Sequence, residues 1–257
     1  MPPAAAPLPR VDARHVRAAY RRGSSWPVRV DTDAGAYVVK LRGAAQGVAA
    51  LTAEIVVAEL AEAIGLDVPA RALVRLDGDV ATDDRHEELR HLLAASAGWN
   101  LGLRHLDGAT DVTAADLATI DADRASRIAW LDGLAMNVDR TAANPNLLRW
   151  RDRLWLIDHG AALPFAHDWA HVTEAHPRRP WPLDRHALAA RATRLRALDA
   201  ELAARLDRDV VAAAIARVPD ELLAPSGGLT EPARLRAAYH AFLWKRLRAP
   251  RPWLPPG

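Results

Sequence analysis

The stretch from Asn137 to Gly160, N-V-D-R-T-A-A-N-P-N-L-L-R-W-R-D-R-L-W-L-I-D-H-G, constrains the fold more than any other part of the chain. An apolar helical run ends at Met136, a polar loop carries Asp139, Asn144 and Asn146, and two short apolar runs flank Arg151-Asp152-Arg153. That order reads as a helix, a loop and a β-hairpin. A turn centred on Asp152 sets Asn146 opposite Asp158 across the ladder. A carboxylate and an amide oxygen then converge beside Asp139. Hard oxygen donors of this kind suit Mg2+, which takes a few protein oxygens and fills its shell with nucleotide phosphates. The stretch therefore points to phosphoryl-transfer chemistry.

A second signal is one of residue choice. Arginine supplies nearly all the positive charge, and the only lysines are Lys40 and Lys245. Lys40 closes the apolar run Ala36-Tyr37-Val38-Val39-Lys40-Leu41, which reads as a strand entered through the Asp33-Ala34-Gly35 turn. A compact ammonium there can sit beside nucleotide phosphates and still accept a carboxylate partner, whereas a guanidinium fork suits bidentate surface recognition. From Gly47 to Ile64 the pattern turns helical, with a stripe of Leu51, Ile55 and Ala58 that lets Glu54 face inward. Glu59 and Glu62 are the alternatives on the same helix.

Composition sets the bounds. With 257 residues, half of them hydrophobic, the chain can bury a sizeable core. The absence of cysteine excludes disulfides and thiolate metal sites and fits a reducing cytoplasm. No apolar run approaches the length of a membrane span, and Met1 to Arg10 lacks the basic start of a secretory signal, so a cytoplasmic protein is expected. A formal charge of only +2 gives no strong nucleic-acid signal. His167 and His171 have the i,i+4 spacing of a metal pair, but no third ligand accompanies them, and a loop bordering a substrate groove is the preferred reading of Ala162 to Pro182.

The Asp139-Arg140 pair, the asparagines that follow and a hairpin ending in Ile157-Asp158-His159-Gly160 resemble the catalytic half of the protein-kinase-like superfamily. The Asp-Arg pair is similar to that of phosphatidylinositol kinases, and the whole segment with Asn144-Pro145-Asn146-Leu147-Leu148 most resembles the HipA-like kinases, a bacterial family. The resemblance implies an α+β, two-lobed kinase-like fold, with a β-rich N-lobe of one helix over residues 1–85 and a mainly helical C-lobe over residues 86–257. It implies ATP and Mg2+ as cofactors and a protein Ser/Thr hydroxyl as acceptor. A small-molecule kinase and a non-catalytic nucleotide-binding pseudokinase are the alternatives.

Within the resemblance, Asp139 orients the attacking hydroxyl and Asp158 bridges Mg2+ to the phosphates. Asn144 matches the superfamily's spacing from the aspartate, and Asn146 faces Asp158 in the hairpin register; both are kept as metal ligands. Glu54 takes the place of the helix glutamate that pairs with the strand lysine. Gly23, Ser24 and Ser25 occupy the place of a phosphate-covering loop, although the G-x-G-x-x-G spacing is absent, and Ser24 or Ser25 is a site for autophosphorylation. Thr141 and His159 depart from the superfamily's histidine and phenylalanine, so altered loop packing and pH response are expected. Strands are expected at Ala70 to Leu76 and near Gly78 to Ala81, a linker at Thr82 to Glu88, irregular chain from Trp99 to Val112, and helices after Pro182.

Overall fold

The structure, a computed structural model, describes residues 6–20 and 26–255. Gly23, Ser24 and Ser25 lie outside the described residues. The chain is a mixed α+β fold built on a closed five-stranded barrel. Strands β1 (Arg10–Ala19), β2 (Val28–Thr32) and β3 (Gly35–Lys40) form an antiparallel meander. Helix α1 (Gly47–Ala63) leads to β4 (Arg71–Leu76), α2 (Glu87–Ala95) leads to β5 (Gly98–Arg104), and β5 lies between β3 and β4. Parallel pairing of Arg10 to Asp12 with Leu73 to Arg75 closes the barrel. Its interior is filled by Val11, Val16, Val28, Val30, Tyr37, Val39 and Val74, and Leu89 and Leu93 of α2 join the same cluster. Because side chains alternate along a strand, burying Tyr37 and Val39 inside turns Lys40 to the outer face.

Helix α1 lies on that outer face. It is buried on nearly every side rather than along the single stripe expected from Leu51, Ile55 and Ala58, since it packs against the barrel and against helices on its other flank. Beyond the barrel come β6 (Thr110–Asp111), the short α3 (Ala114–Leu117) and α4 (Ala122–Ala135). Thr113 and Asp116 cap α3 reciprocally, and Asp121 caps α4 by accepting from the Arg124 amide at 2.8 Å. The hairpin β7 (Leu147–Trp150) and β8 (Arg153–Leu156) follows, then an irregular stretch with short 3-10 turns, and finally α5 (Leu195–Arg205), α6 (Arg208–Ala216) and α7 (Pro232–Leu247). The buried faces of these three helices carry Leu195, Leu198, Leu202, Ile215, Phe242 and Leu243.

Four expectations are corrected. The region read as irregular from Trp99 contains β5, a central strand. Its Gly102 marks close packing rather than a break, because a Cβ there would stand 2.5 Å from Cγ2 of Val74. The barrel therefore continues past Arg85, where a lobe boundary was expected. Gly78 to Ala81 is not a strand, although the adjacent Thr82 makes a single bridge to Val16. The hairpin register is shifted by one residue: Leu147 pairs with Leu156 and Trp150 with Arg153, leaving a two-residue turn at Arg151 and Asp152. Both turn residues have positive φ, 49° and 58°, as a type I′ turn requires. Asn146 therefore opposes Ile157, whose amide donates to its carbonyl at 3.1 Å, and not Asp158.

Candidate active site

Lys40 leaves the barrel wall beneath α1, and its ammonium donates to both Glu54 and Asp158, the latter at 2.5 Å. Glu54 is 1% exposed, whereas the Asp158 side chain is 41% exposed. One ammonium thus serves two carboxylates at different depths. Burial would pull the Lys40 pKa down, but the charges of Glu54 and Asp158 outweigh it and hold it up. Burial is also the largest influence on Glu54 and, with Asp158 nearby, raises its pKa despite Lys40. For Asp158 the attraction of Lys40 overcomes burial and lowers it. The deeper carboxyl is therefore the one that takes up a proton first. Glu59 and Glu62, the other candidates on α1, are engaged elsewhere, with Arg71, and Glu59 also meets Arg217 at 3.0 Å.

The Asp-His-Gly segment is seated against α1. A Cβ on Gly160 would lie 3.3 Å from Oε1 of Glu54 and of Gln46, so the glycine permits this approach. Asp158 has a left-handed backbone, φ 57°, as do Asn146 at 50° and Met136 at 57°, the residue that ends α4. Three non-glycine residues in this region therefore border the site, where local strain is characteristic of functional loops.

Asp139 sits at the mouth of the loop that follows α4. Nδ2 of Asn144, at 2.9 Å, and Nδ2 of Asn146, at 3.1 Å, both donate to its Oδ2. Oδ1 accepts from none of the described side chains, which leaves it available to an incoming group. The sequence-derived candidates thus fall into two clusters, Lys40 with Glu54 and Asp158, and Asp139 with Asn144 and Asn146. The first sets an ammonium, a donor suited to phosphate oxygens, against two carboxylates, and the second gathers a carboxylate and two side-chain amides; carboxylate and amide oxygens are hard ligands of the type Mg2+ accepts.

A buried network not singled out from sequence lies behind the loop. Asp132 of α4 is fully buried and accepts from Arg140 Nε at 2.6 Å, Asn137 Nδ2 at 2.9 Å and His186 Nε2 at 3.0 Å. Against the pull of burial, Arg140 and His186 hold its carboxyl below the usual range. A lone aspartate inside the apolar run Ala129 to Met136 is the sequence signal that marks it. His159, where many kinases have phenylalanine, is buried, and its Nδ1 meets Arg140 Nη2 at 3.4 Å. Burial first, and Arg140 next, push its pKa down to about 3, so it is neutral at physiological pH. The expected pH response at this position is accordingly absent near neutrality.

His167 and His171 fall in separate 3-10 turns, not on one helix face, and His171 pairs with Asp168 at 2.7 Å. Among the described residues, no three or more His, Cys, Asp and Glu side chains gather as a metal site. No helix among them is long and apolar enough to cross a membrane.

A barrel-borne lysine paired with a helix glutamate and an Asp-x-Gly carboxylate, in a chain that also carries an Asp-Asn loop, is the arrangement of a kinase-type phosphotransferase. The chain belongs to the HipA-like kinase family, whose sequence pattern matches residues 15–231. Its fold is similar to that of the proinflammatory kinase CtkA of Helicobacter pylori, with a TM-score of 0.53 and 14% identity over 93% of this chain and 94% of that one. No curated protein matches the chain.

Proposed function

We propose that this kinase transfers the γ-phosphate of ATP, with Mg2+, to a serine or threonine hydroxyl of a protein in the cytoplasm, using a cleft between the barrel as one lobe and the helical region as the other. The observation that carries the reading is the ammonium of Lys40 held between Glu54 and Asp158. Glu54 fixes Lys40 in place for the α- and β-phosphates. Asp158, with amide oxygens of Asn144 and Asn146, would hold Mg2+, whose charge neutralises the phosphates when bound. The two asparagine amides orient Asp139 so that its free oxygen receives the acceptor hydroxyl. Positioning and charge stabilisation, rather than strong basicity, supply most of the rate in this chemistry. Gly23, Ser24 and Ser25 are assigned to the covering of the phosphates.

The Lys40–Glu54 pairing counts against a binding module without catalysis, for which a glutamate turned away from the lysine is the expected sign. The test is a paired assay on wild type and Asp139→Ala, measuring Mg-ATP binding and phosphate transfer to mixed proteins under the same conditions. Binding is expected in both, and transfer in the wild type alone. Wild type that binds Mg-ATP but labels only small hydroxyl compounds would replace the protein acceptor with a metabolite. Absence of Mg-ATP binding would overturn the reading.

A further inference from the structure

The loop carrying Asp139 is held from behind by Asp132, Arg140 and His186, which themselves make no hydrogen bond to Lys40, Asp139 or Asp158. Asp132 grips the loop on both sides of the catalytic aspartate. On the near side it accepts from the Asn137 amide nitrogen, and the Asn137 oxygen in turn accepts from the Asp139 backbone N–H at 3.1 Å. On the far side it accepts from Arg140 Nε at 2.6 Å. Arg140 then spreads across the site: Nη1 donates to the carbonyls of Asn146 at 2.6 Å and Pro145 at 3.1 Å, and Nη2 reaches the ring of His159, the neighbour of Asp158. A single guanidinium therefore spans the loop of Asp139 and the segment of Asp158.

A third element fixes the orientation of this carboxylate. The segment from Trp181 to Leu188 makes three bonds to the same unit: Trp181 Nε1 to the Asn137 carbonyl at 2.8 Å, the Ala187 amide to the Arg140 carbonyl at 2.9 Å, and His186 Nε2 to Asp132 at 3.0 Å. The Leu188 amide donates to His186 Nδ1 at 3.2 Å, so the ring proton resides on Nε2 and points at Asp132. A buried ion pair is weak support for stability, because desolvation offsets most of the attraction, but a polar network in which Asp132, Asn137, Arg140 and His186 each hold two or more partners defines one geometry; Nε2 of His159, at its edge, has none.

We propose that Asp132 and His186 are positioning residues for phosphoryl transfer: through Arg140 they fix the separation of Asp139 from Asp158, and the segment from Trp181 to Leu188 braces the catalytic loop. The catalytic part of this inference rests on the function proposed above; the bracing does not. A displacement of about 1 Å at the reacting centre costs roughly 100-fold in rate, so the brace acts on turnover more than on nucleotide binding.

The test compares His186→Ala with His186→Gln, whose amide nitrogen can replace Nε2 as donor, in the full chain. Amide hydrogen exchange reads the brace and steady-state kinetics read the chemistry. In His186→Ala, exchange should accelerate in residues 137–146 and 157–160 and not in the barrel strands, kcat should fall roughly 100-fold, and the Kd for Mg-ATP should stay within about threefold. His186→Gln should recover most of both effects. Trp181→Phe, which removes only one bond from the same brace, serves if His186→Ala does not fold, and should show the same pattern in weaker form. Unchanged exchange in both segments, acceleration throughout the chain, or an unchanged kcat in His186→Ala when the wild type transfers phosphate would each overturn the proposal. If the wild type transfers no phosphate, the proposed function fails, while the exchange pattern still decides whether the brace exists.

Discussion

Replacing Lys40 by methionine isolates the energetics of the site. The substitution keeps the side-chain length but leaves Glu54, 1% exposed, facing Asp158 without a cation between them. Removing one member of a buried pair costs 3–5 kcal/mol as a rule. The lower end applies here, because 41% exposure of the Asp158 side chain lets water screen that half, so a loss of about 3 kcal/mol at pH 7 is expected. Burial and Asp158 already raise the Glu54 pKa with Lys40 present, and loss of the ammonium raises it further. A carboxyl whose folded pKa lies above its unfolded value of about 4.3 binds more protons when folded, so stability falls as pH rises through that window. Acidification therefore rescues the variant, by at most about 1.4 kcal/mol per pH unit, and the deficit should be smaller at pH 5 than at pH 7. Urea unfolding of both proteins at pH 7 and pH 5, followed by tryptophan fluorescence, measures the difference. A deficit below about 1 kcal/mol at pH 7, or one that does not shrink at pH 5, would refute the shared-ammonium argument.

Glu54→Gln removes the buried charge but keeps a hydrogen-bond acceptor for Lys40, so urea unfolding should show a stability change within about 1 kcal/mol while titration shows weakened Mg-ATP binding. Gly133→Ala should be destabilising by about 2 kcal/mol, although alanine is the better helix former by about 1 kcal/mol, because the new Cβ would stand 2.4 Å from Cδ1 of Trp253; a rise in thermal midpoint would contradict this packing. His159→Phe tests the neutral imidazole. With a folded pKa near 3 against an unfolded value of about 6.5, the histidine makes stability fall as pH drops through that interval. The phenylalanine variant should show a shallower loss between pH 6.5 and pH 4, and identical slopes in denaturation curves across that range would rule the idea out.

The pairing of Lys40 with Glu54 was legible in the sequence. Lys40 stood out as one of two lysines in an arginine-rich chain, and Glu54 by its place in an apolar helix; the structure joins them across the barrel wall. The strands were harder. β1 lacks a strand signature because two bulges break its alternation and leave Val11 and Val16 as its buried side chains, separated by Asp12, Ala13, Arg14 and His15. β5 was hidden by Gly98, whose φ is 106°, and by Gly102, which serves close packing. The Asp132–His186 contact joins residues far apart in the chain, which no local pattern encodes.

The misread hairpin register has a more specific cause. Arg151-Asp152 lacks the glycine or asparagine that normally announces a left-handed turn, so Arg151-Asp152-Arg153 read as a wider turn centred on Asp152. The same left-handed backbone recurs at Met136, Asn146 and Asp158, none of them glycine. Such conformations cost of order 1 kcal/mol or more each and persist only where surrounding contacts hold them. Here the contacts can be named. Met136 is followed by Asn137, whose amide bonds the Asp132 carbonyl at 2.9 Å, Arg140 binds the Asn146 carbonyl at 2.6 Å, and Lys40 binds Asp158. The departures from local preference and the buried polar network are thus one arrangement: the network holds in place the backbone that local sequence would not choose, and that backbone carries Asp139, Asn146 and Asp158.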